Sequence, residues 1–380
     1  IFQKSGHCLM RIGFDAKRLF QNATGLGNYS RTLVANLHKY HPEHDIHLYA
    51  PKLVKNERTL PFFNKGYKPF SPSGITKLGW RSMGVVKALK NDGIELYHGL
   101  SHELPIGIKN SGLKTVVTIH DLLYKYFPED FPLFDRLIYD NKFRFACEHS
   151  DKIIAISNAT KQDIMEHYKV PEAKVQVIYQ TVSPEFSREI SDFDAEEVIR
   201  KYALPSEYIL NVGSIIRRKN LEIVIVAMAM MQPKDRMPLV IVGTGGTYAT
   251  IIDQLVEKHK LKDWIIRITG PKLEELNILY RKSHFSVYPS LMEGFGLPVL
   301  ESIMTQTPVI TTRRSSLIEA GGDIAHYING ENAEELSVKM MELTYKAKQI
   351  GDPKNIKKHL DRFDAKKLTE QLNDLYLANA

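Results

Sequence analysis

The chain has 380 residues, of which 43% are hydrophobic and 25% charged, a composition typical of a globular protein long enough for two domains with separate cores. Its net charge of +7 indicates an acidic partner, and the sequence contains no zinc-ligand spacing, nucleic-acid module or basic tail, so phosphorylated small molecules and anionic lipid are favoured over nucleic acid. No apolar run is long enough to span a bilayer, and no secretory signal is expected. The two cysteines are too few for a disulfide framework, which predicts a reducing, cytoplasmic setting.

The first half of the chain alternates short β-branched or aromatic runs with helical or loop segments, which predicts a parallel α/β sheet. Residues 1–9 do not match the strand that begins at Met10 and are interpreted as a vector remnant or an extended start. That strand leads through a polar loop to Gly25 and Gly27 and then to a helix over 28–38. Such a unit can cradle phosphate, but the third glycine of the dinucleotide fingerprint is missing, which argues against a dehydrogenase. Further strands are predicted at 45–50, 95–98, 114–119, 151–157 and 175–179.

One of these strands ends at His120, a position where open α/β sheets bind ligands. The segment 127–145 is aromatic and basic and predicts an amphipathic helix that covers the sheet. The same pattern is also typical of a helix that lies on an anionic membrane surface.

The segment 181–193 lacks periodicity and contains Pro184, so we place a linker there. Asp192 and Asp194 have an Asp-x-Asp spacing that can bind a metal–nucleotide complex. Their position directly before a helix starting at Ala195 favours capping of that helix instead, and no metal site is predicted.

The second half restarts with a strand from Tyr208 that ends at Gly213 and Ser214. Arg217, Arg218 and Lys219 follow, just before a helix that runs to Met231. Cations at a strand end beside a helix start would give a diphosphate both side-chain and backbone donors. Strands at 239–243, 265–270, 285–288, 308–312 and 323–328, then a helix at 363–377, complete the alternation.

Two carboxylates bracket a glycine turn in the segment 287–310. Glu293 precedes Gly294, Phe295 and Gly296, whose backbone N–H groups could donate to a ligand where the next helix begins at Leu297 and Pro298. Glu301 lies about two turns into that helix on the same face. The pattern predicts a polyhydroxylated, anionic ligand.

The run from Glu293 to Glu301, EGFGLPVLE, resembles the paired-glutamate motif of retaining glycosyltransferases of family four. The resemblance implies the GT-B fold, in which two Rossmann-like domains face each other across a cleft. It places an acceptor-side domain at 10–182, with a crossing helix at 363–378, and a nucleotide-sugar-binding domain at 195–362. The sequence departs from the family at Ser214, where many members have arginine, and at 304–308, where a small residue and a glycine usually precede Thr-Pro.

The resemblance also implies roles for individual residues. Glu293 would contact the transferred sugar and Glu301 the ribose, so that loss of Glu301 alone should weaken binding of the nucleoside diphosphate. Arg218 and Lys219 would hold the diphosphate, and His120 would face the donor sugar. The remaining donor-binding positions are expected to be Gly25, Gly27, Gly213, Ser214, Gly294, Phe295, Gly296 and Leu297.

The implied reaction is metal- and cofactor-independent transfer of a hexosyl group from a nucleotide-sugar, with retention, giving an α-linkage. GDP-mannose is favoured over UDP-sugars because the run GLGNY at 25–29 resembles that of mannosyltransferases of surface polysaccharide assembly. The acceptor would be a glycan or a polyprenyl-diphosphate-linked saccharide at the inner face of the cytoplasmic membrane. A sugar-phosphate glycosyl synthase, a nucleotide-sugar epimerase and a non-catalytic nucleotide-sugar-binding protein remain alternatives that fold alone does not separate.

Overall fold

The computed structural model describes residues 10–73 and 79–379, so the segment interpreted as a vector remnant or extended start lies outside the described residues. The chain divides into two compact units. One holds the chain up to Thr181 together with everything from Phe363 onward, and the other holds Val182–Arg362.

Each unit is built on a parallel β-sheet. The seven strands of the first sheet lie in the order β3-β2-β1-β4-β5-β6-β7 and the six of the second in the order β10-β9-β8-β11-β12-β13. In chain order the strands are β1 (Arg11–Asp15), β2 (Asp45–Tyr49), β3 (Tyr67–Phe70), β4 (Leu96–Gly99), β5 (Lys114–Ile119), β6 (Lys152–Ala155), β7 (Val175–Val177), β8 (Ile209–Val212), β9 (Leu239–Val242), β10 (Ile265–Ile268), β11 (Phe285–Tyr288), β12 (Val309–Thr312) and β13 (His326–Ile328).

Segments with a 3₁₀ turn, Leu60–Phe63 and Ile106–Asn110, join β2 to β3 and β4 to β5, and α-helices connect the other successive strands. The α-helices are α1 (Lys17–Gln21), α2 (Gly25–Tyr40), α3 (Val85–Asn91), α4 (Leu123–Tyr126), α5 (Leu133–His149), α6 (Asn158–Tyr168), α7 (Asp192–Lys201), α8 (Leu221–Met230), α9 (Thr247–Lys258), α10 (Leu273–Lys282), α11 (Leu297–Met304), α12 (Leu317–Gly321), α13 (Ala333–Thr344), α14 (Pro353–Leu360) and α15 (Ala365–Leu377).

The central strands are largely buried, which explains their mostly apolar sequences. In β1, Ile12 lies between Ile46 of β2 and Leu96 of β4, and all three side chains are inaccessible to solvent. The expected class, two Rossmann-like α/β domains with a C-terminal helix returning to the first, is confirmed. Among residues 10–73 and 79–379, none of the helices combines the length and the apolar character needed to cross a membrane.

Two local features of the first unit differ from the sequence-based expectation. Strand β3 was not predicted, because it is a half-exposed edge strand with Pro69 in its centre and carries no clear pattern. The glycine run, expected in a loop, forms the first turn of α2. A side chain on Gly27 would place its Cβ 1.9 Å from the carbonyl oxygen of Asn22, so this glycine permits a close backbone approach.

The segment predicted as a linker is packed within the second unit. The ring of Phe186 lies 5.9 Å from that of Tyr280, and the side-chain amide of Asn277 donates to the carbonyl oxygen of Glu185 at 2.7 Å. Helix α7 begins at Asp192 rather than Ala195, and its cap is the hydroxyl of Ser191, which accepts from the N–H of Asp194. The two aspartates therefore lie in the first turn and favour its dipole, but they are not the cap that the sequence suggested.

The departure from the family pattern after α11 has a local explanation. Gln306 adopts a left-handed φ of 57°, in the position where the family usually carries glycine. The turn around it is held because the N–H of Thr307 donates to the carbonyl oxygen of Ser302 at 2.8 Å. The chain therefore forms this turn with Gln306 in a left-handed conformation that glycine adopts more easily.

Candidate active site

The loop after β11 and the start of α11 form the centre of the site. Gly296 caps α11 with a φ of 110°, and a Cβ there would lie 2.8 Å from a methyl carbon of Leu317. Both conditions require glycine. Pro298 lies in the first turn of the helix, as the sequence predicted, where its missing N–H costs nothing.

The three cations predicted to hold a diphosphate form one 3₁₀ turn, Arg217–Lys219, between β8 and α8. Asn220 ends this turn in a left-handed conformation, with a φ of 58°. Its side-chain amide donates to the carbonyl oxygens of Pro289, at 3.2 Å, and Gly330, at 2.8 Å. The N–H of Leu291 also donates to the carbonyl oxygen of Arg218 at 2.9 Å. These contacts fix the cationic turn against the loop that follows β11.

Glycines allow this close approach of two strand ends. A Cβ on Gly243, after β9, would lie 1.9 Å from the carbonyl oxygen of Gly213, after β8. Gly213 itself has a φ of 152° and lies beside the side chains of Tyr288 and Lys219. Ser214 follows at the surface. The predicted position of Gly213 at the cationic end of the sheet is therefore observed.

Glu293 lies at the centre of the site and contacts several of its polar side chains. Its Oε1 lies 2.8 Å from an Nη1 atom of Arg218 and 2.6 Å from Nζ of Lys219. The same oxygen accepts hydrogen bonds from the hydroxyls of Ser290, at 2.5 Å, and Tyr288, at 3.0 Å. Four donors thus converge on one carboxylate oxygen of a side chain that is only 9% exposed.

The electrostatics of Glu293 follow from these contacts. Burial alone would raise the pKa of its carboxyl, but Lys219 and Arg218 more than offset it and lower the pKa to about 2. The hydroxyls of Ser315 and Ser316 donate to its backbone carbonyl at 3.0 and 2.8 Å. The glutamate is ionised at neutral pH and rigidly held.

Glu301, the second carboxylate, has the opposite electrostatics. Burial raises its pKa to about 7, although the Tyr280 hydroxyl, which donates to its Oε2 at 3.0 Å, and the charge of Lys219 act against the shift. It lies in α11, as predicted, and retains some exposure. The two glutamates of the motif therefore differ strongly in proton affinity.

In the first unit, His120 lies directly after β5 and is 3% exposed. Its Nε2 donates to the carbonyl oxygen of Leu100 at 2.9 Å, and its ring meets that of Tyr29 edge-on at 4.5 Å between centroids. Burial and the nearby His102 lower its pKa to about 3, so the imidazole is neutral at physiological pH. Because Tyr29 belongs to α2, the helix opened by Gly25 and Gly27 packs beside this histidine.

Sequence reasoning missed a buried network that surrounds His120. His98 contacts the Thr118 hydroxyl through Nε2 at 2.8 Å and the Tyr376 hydroxyl through Nδ1 at 2.6 Å, while the Tyr29 hydroxyl lies 3.0 Å from that of Thr118. The network joins β4, β5, α2 and α15. A histidine near the end of a buried strand was the only signal, and it does not reveal partners 278 residues away.

Two family models match the chain. The model described as Glycosyltransferase Family 4 matches residues 23–186, and that described as Glycosyl transferases group 1 matches residues 194–356. The chain belongs to the glycosyltransferases. The first unit carries the family-four match and the second the group-one match, which contains the whole site around Glu293.

Relatives and solved structures agree with this assignment. The glycosyltransferase is 26% identical over 353 residues to O-antigen chain mannosyltransferase B of Escherichia coli, covering 88% of this chain and 90% of that protein. It is 31% identical over 235 residues to O-antigen chain mannosyltransferase RfbU of Salmonella typhimurium, covering 61% of this chain and 60% of that protein. The crystal structure of Anabaena Alr3699/HepE in complex with UDP and glucose superposes with a TM-score of 0.75 at 15% identity, over 97% of this chain and 100% of that one, which shows the shared GT-B fold.

Proposed function

We propose that this glycosyltransferase transfers a mannosyl group from GDP-mannose to a hydroxyl of a glycan or lipid-linked saccharide, with retention of the anomeric configuration. The convergence of Arg218 and Lys219 on Glu293 carries the proposal. It combines, in one buried cluster, cations suited to a diphosphate and a carboxylate suited to sugar hydroxyls. The O-antigen mannosyltransferases among its relatives support the choice of sugar and acceptor class.

The cluster supports an exchange of partners when the donor binds. Glu293 pairs with both cations through Oε1. A diphosphate carries more charge than one carboxylate and competes for Arg218 and Lys219, which leaves the glutamate oxygens available to accept from sugar hydroxyls. Binding of the donor thereby positions the residue that orients the hexose.

Transfer then needs no covalent intermediate on the protein. The bond between the anomeric carbon and the diphosphate oxygen breaks, and the acceptor oxygen bonds to that carbon on the same face. The departing diphosphate takes the acceptor proton, and Arg218 and Lys219 stabilise the charge that develops on it. Glu301, in its ionised form, accepts from ribose hydroxyls.

The first unit offers features suited to an anionic acceptor. A cavity of about 310 Å³ beside Asn22 is lined by Arg31, Lys52 and Arg58. Its wall contains no acidic side chain among the described residues that line it. Burial, together with the nearby charge of Arg58, lowers the pKa of Arg31 to about 10, and a bound phosphate would oppose this shift.

Helix α5 supports contact with a membrane surface that would carry a lipid-linked acceptor. Leu133, Phe134 and Leu137 are 65%, 74% and 56% exposed at its start. The basic residues that the sequence emphasised are partly neutralised, because Lys142 pairs with Glu103 and Arg144 with Asp140. The apolar side chains, rather than net charge, therefore supply the main attraction to lipid.

The membrane contact can be tested by flotation with vesicles that contain anionic lipid. The wild-type chain should float, and the double variant Phe134→Gln/Leu137→Gln should not. Phe193→Gln is a matched control, since Phe193 is 66% exposed in the second unit. Equal flotation of all three proteins, or of none, would exclude a membrane role for α5.

The donor is tested by incubating the purified chain with GDP-mannose, UDP-glucose and UDP-galactose, with and without a polyprenyl-diphosphate-linked saccharide. We expect acceptor-dependent release of GDP, a product sensitive to α-mannosidase, and loss of transfer in Glu293→Gln. Preference for a UDP-sugar would refute the donor assignment. Conversion of the donor sugar without acceptor would indicate an epimerase, and efficient use of a soluble sugar phosphate would indicate a synthase.

A further inference from the structure

Two buried histidines and a glutamate lie together in the turn that joins α2 to β2. The N–H of His44 approaches the carbonyl oxygen of His41 at 3.3 Å, so the turn brings the two histidines side by side. One ligand atom from each of His41, Glu43 and His44 lies within 4.8 Å of the other two. This arrangement belongs to the first unit and has no part in the donor site around Glu293.

Helix α15 determines the proton arrangement of His44. The side-chain oxygen of Asn373 lies 2.7 Å from Nε2 of His44 and can only accept, so Nε2 carries the proton. Nδ1 therefore presents a lone pair. This atom is buried, and it has no hydrogen-bond partner within the described part of the chain. An unpartnered acceptor in a side chain 5% exposed is unfavourable unless something binds to it.

His41 lies between two carboxylates. Its Nδ1 is 3.1 Å from Oε1 of Glu43, within hydrogen-bond distance. Its Nε2 is buried and lies 3.2 Å from Oε2 of Glu370, again on α15, but it has no hydrogen-bond partner within the described part of the chain. A divalent cation bound by Nδ1 and Glu43 would place the ring proton on Nε2, beside the carboxylate of Glu370.

We propose that His41, Glu43 and His44 bind a zinc ion. Glu370 and Asn373 of α15 would then lie behind the two imidazoles and hold them in place. Imidazole nitrogen and carboxylate oxygen are ligands that zinc prefers, at about 2.0–2.2 Å. Ligand atoms of a tetrahedral site at that bond length lie roughly 3.3 Å apart, close to the 3.1 Å between His41 and Glu43. Outer partners of this kind fix the tautomer of metal-bound histidines.

The proposed site has a structural consequence. Glu370 and Asn373 lie on the helix by which the end of the chain returns to the first unit. Zinc at the turn between α2 and β2 therefore holds that helix in place through the two imidazoles. A ligand bound only by the folded protein raises its stability in proportion to the logarithm of its concentration.

The test is calorimetric titration of the full chain, freed of affinity tags and bound metal, with zinc chloride. We expect one zinc per chain at this site, with affinity at least about a hundredfold weaker in His44→Gln and roughly tenfold weaker in Glu43→Gln and Asn373→Ala. Cobalt(II) in place of zinc should give the visible absorption of a tetrahedral site in the wild type and lose it in His44→Gln.

A matched control is available on the next strand. His47 is also buried and its Nε2 lies 3.1 Å from a carboxylate oxygen of Asp45, so it has the same pairing without the second histidine. His47→Gln should bind zinc like the wild type. Unchanged zinc affinity in both His44→Gln and Glu43→Gln would overturn the proposal, as would the absence of binding in the wild type. Glu43 is partly exposed, so its replacement by glutamine keeps the test informative if a histidine variant misfolds.

Discussion

Lys219 and Glu293 form an ion pair of 2.6 Å, and Arg218 joins the same carboxylate oxygen at 2.8 Å. The proposed diphosphate-binding cations and the proposed sugar-binding carboxylate therefore neutralise each other. This relationship changes what mutation of the site should do, because each partner controls the charge of the other.

Replacement of Glu293 by glutamine should lower the stability of the protein but raise its affinity for GDP. Breaking a buried ion pair on one side typically costs about 3–5 kcal/mol, so the free energy of unfolding should fall by an amount of that order. From the sequence alone, diphosphate affinity should depend on Glu301 and not on Glu293. The structure predicts more, namely that GDP should bind several-fold tighter to Glu293→Gln, since Arg218 and Lys219 no longer pair with a charge, while turnover falls. Chemical denaturation, calorimetric titration with GDP and single-turnover rates measure the three effects. Weaker GDP binding would contradict the exchange of partners.

Glu301 should make nucleotide binding pH-dependent. Its folded-state pKa of about 7 lies above its ordinary value of 4.5, so the folded protein binds more protons than the unfolded chain between these pH values. Its ionisation therefore lowers stability as pH rises through that window. Ionised Glu301 accepts from hydroxyls better than its protonated form, so guanosine affinity should rise up to about tenfold per pH unit below 7 and level off above it. Guanosine is the suitable probe for titration because it has ribose hydroxyls and no phosphate that titrates in this range.

Glu301→Gln is the control for this prediction. It should remove the pH dependence of guanosine binding and raise the melting temperature of the ligand-free protein at pH 8 by a few degrees, because a charge is no longer buried. A pH dependence that persists in the variant would assign it to another group.

His120 should affect turnover when its structural contact is preserved. Because the ring is buried against Tyr29 and His102, removal to alanine would also destabilise the first unit. His120→Gln retains a donor for the carbonyl oxygen of Leu100 but removes the imidazole. We expect a melting temperature within a few degrees of the wild type and a turnover at least about tenfold lower. Full turnover in a folded variant would assign His120 to the core alone.

Chelation should leave the rate of transfer unchanged. Arg218 and Lys219 supply positive charge to the diphosphate, and Asp194, the alternative metal-binding candidate, accepts a hydrogen bond from Ser191 at the start of α7. Assays in EDTA should therefore give the wild-type rate at temperatures well below unfolding, even where loss of zinc lowers the melting temperature. Loss of turnover that manganese restores would contradict this and return attention to Asp192 and Asp194.

The sequence by itself determined the elements whose signals are local. Apolar runs bounded by polar segments predicted twelve of the thirteen strands in the described ranges, because buried parallel strands are mostly apolar. Pro298 correctly marked a helix start, since its missing N–H acts within one turn. The residues between Glu293 and Glu301 predicted a glycine turn followed by the start of a helix, with Glu293 before the turn and Glu301 in the helix.

Only the tertiary structure decided which residues meet and how they are charged. Glu293 pairs with cations 74 and 75 positions earlier, and His44 meets Asn373 across 329 positions, contacts that no local pattern encodes. The proton affinities of the two glutamates differ because one is surrounded by cations and the other mainly by a desolvating environment. Long-range packing, rather than residue type or spacing, sets the neighbours and the solvent exposure of each group, and these determine its chemistry.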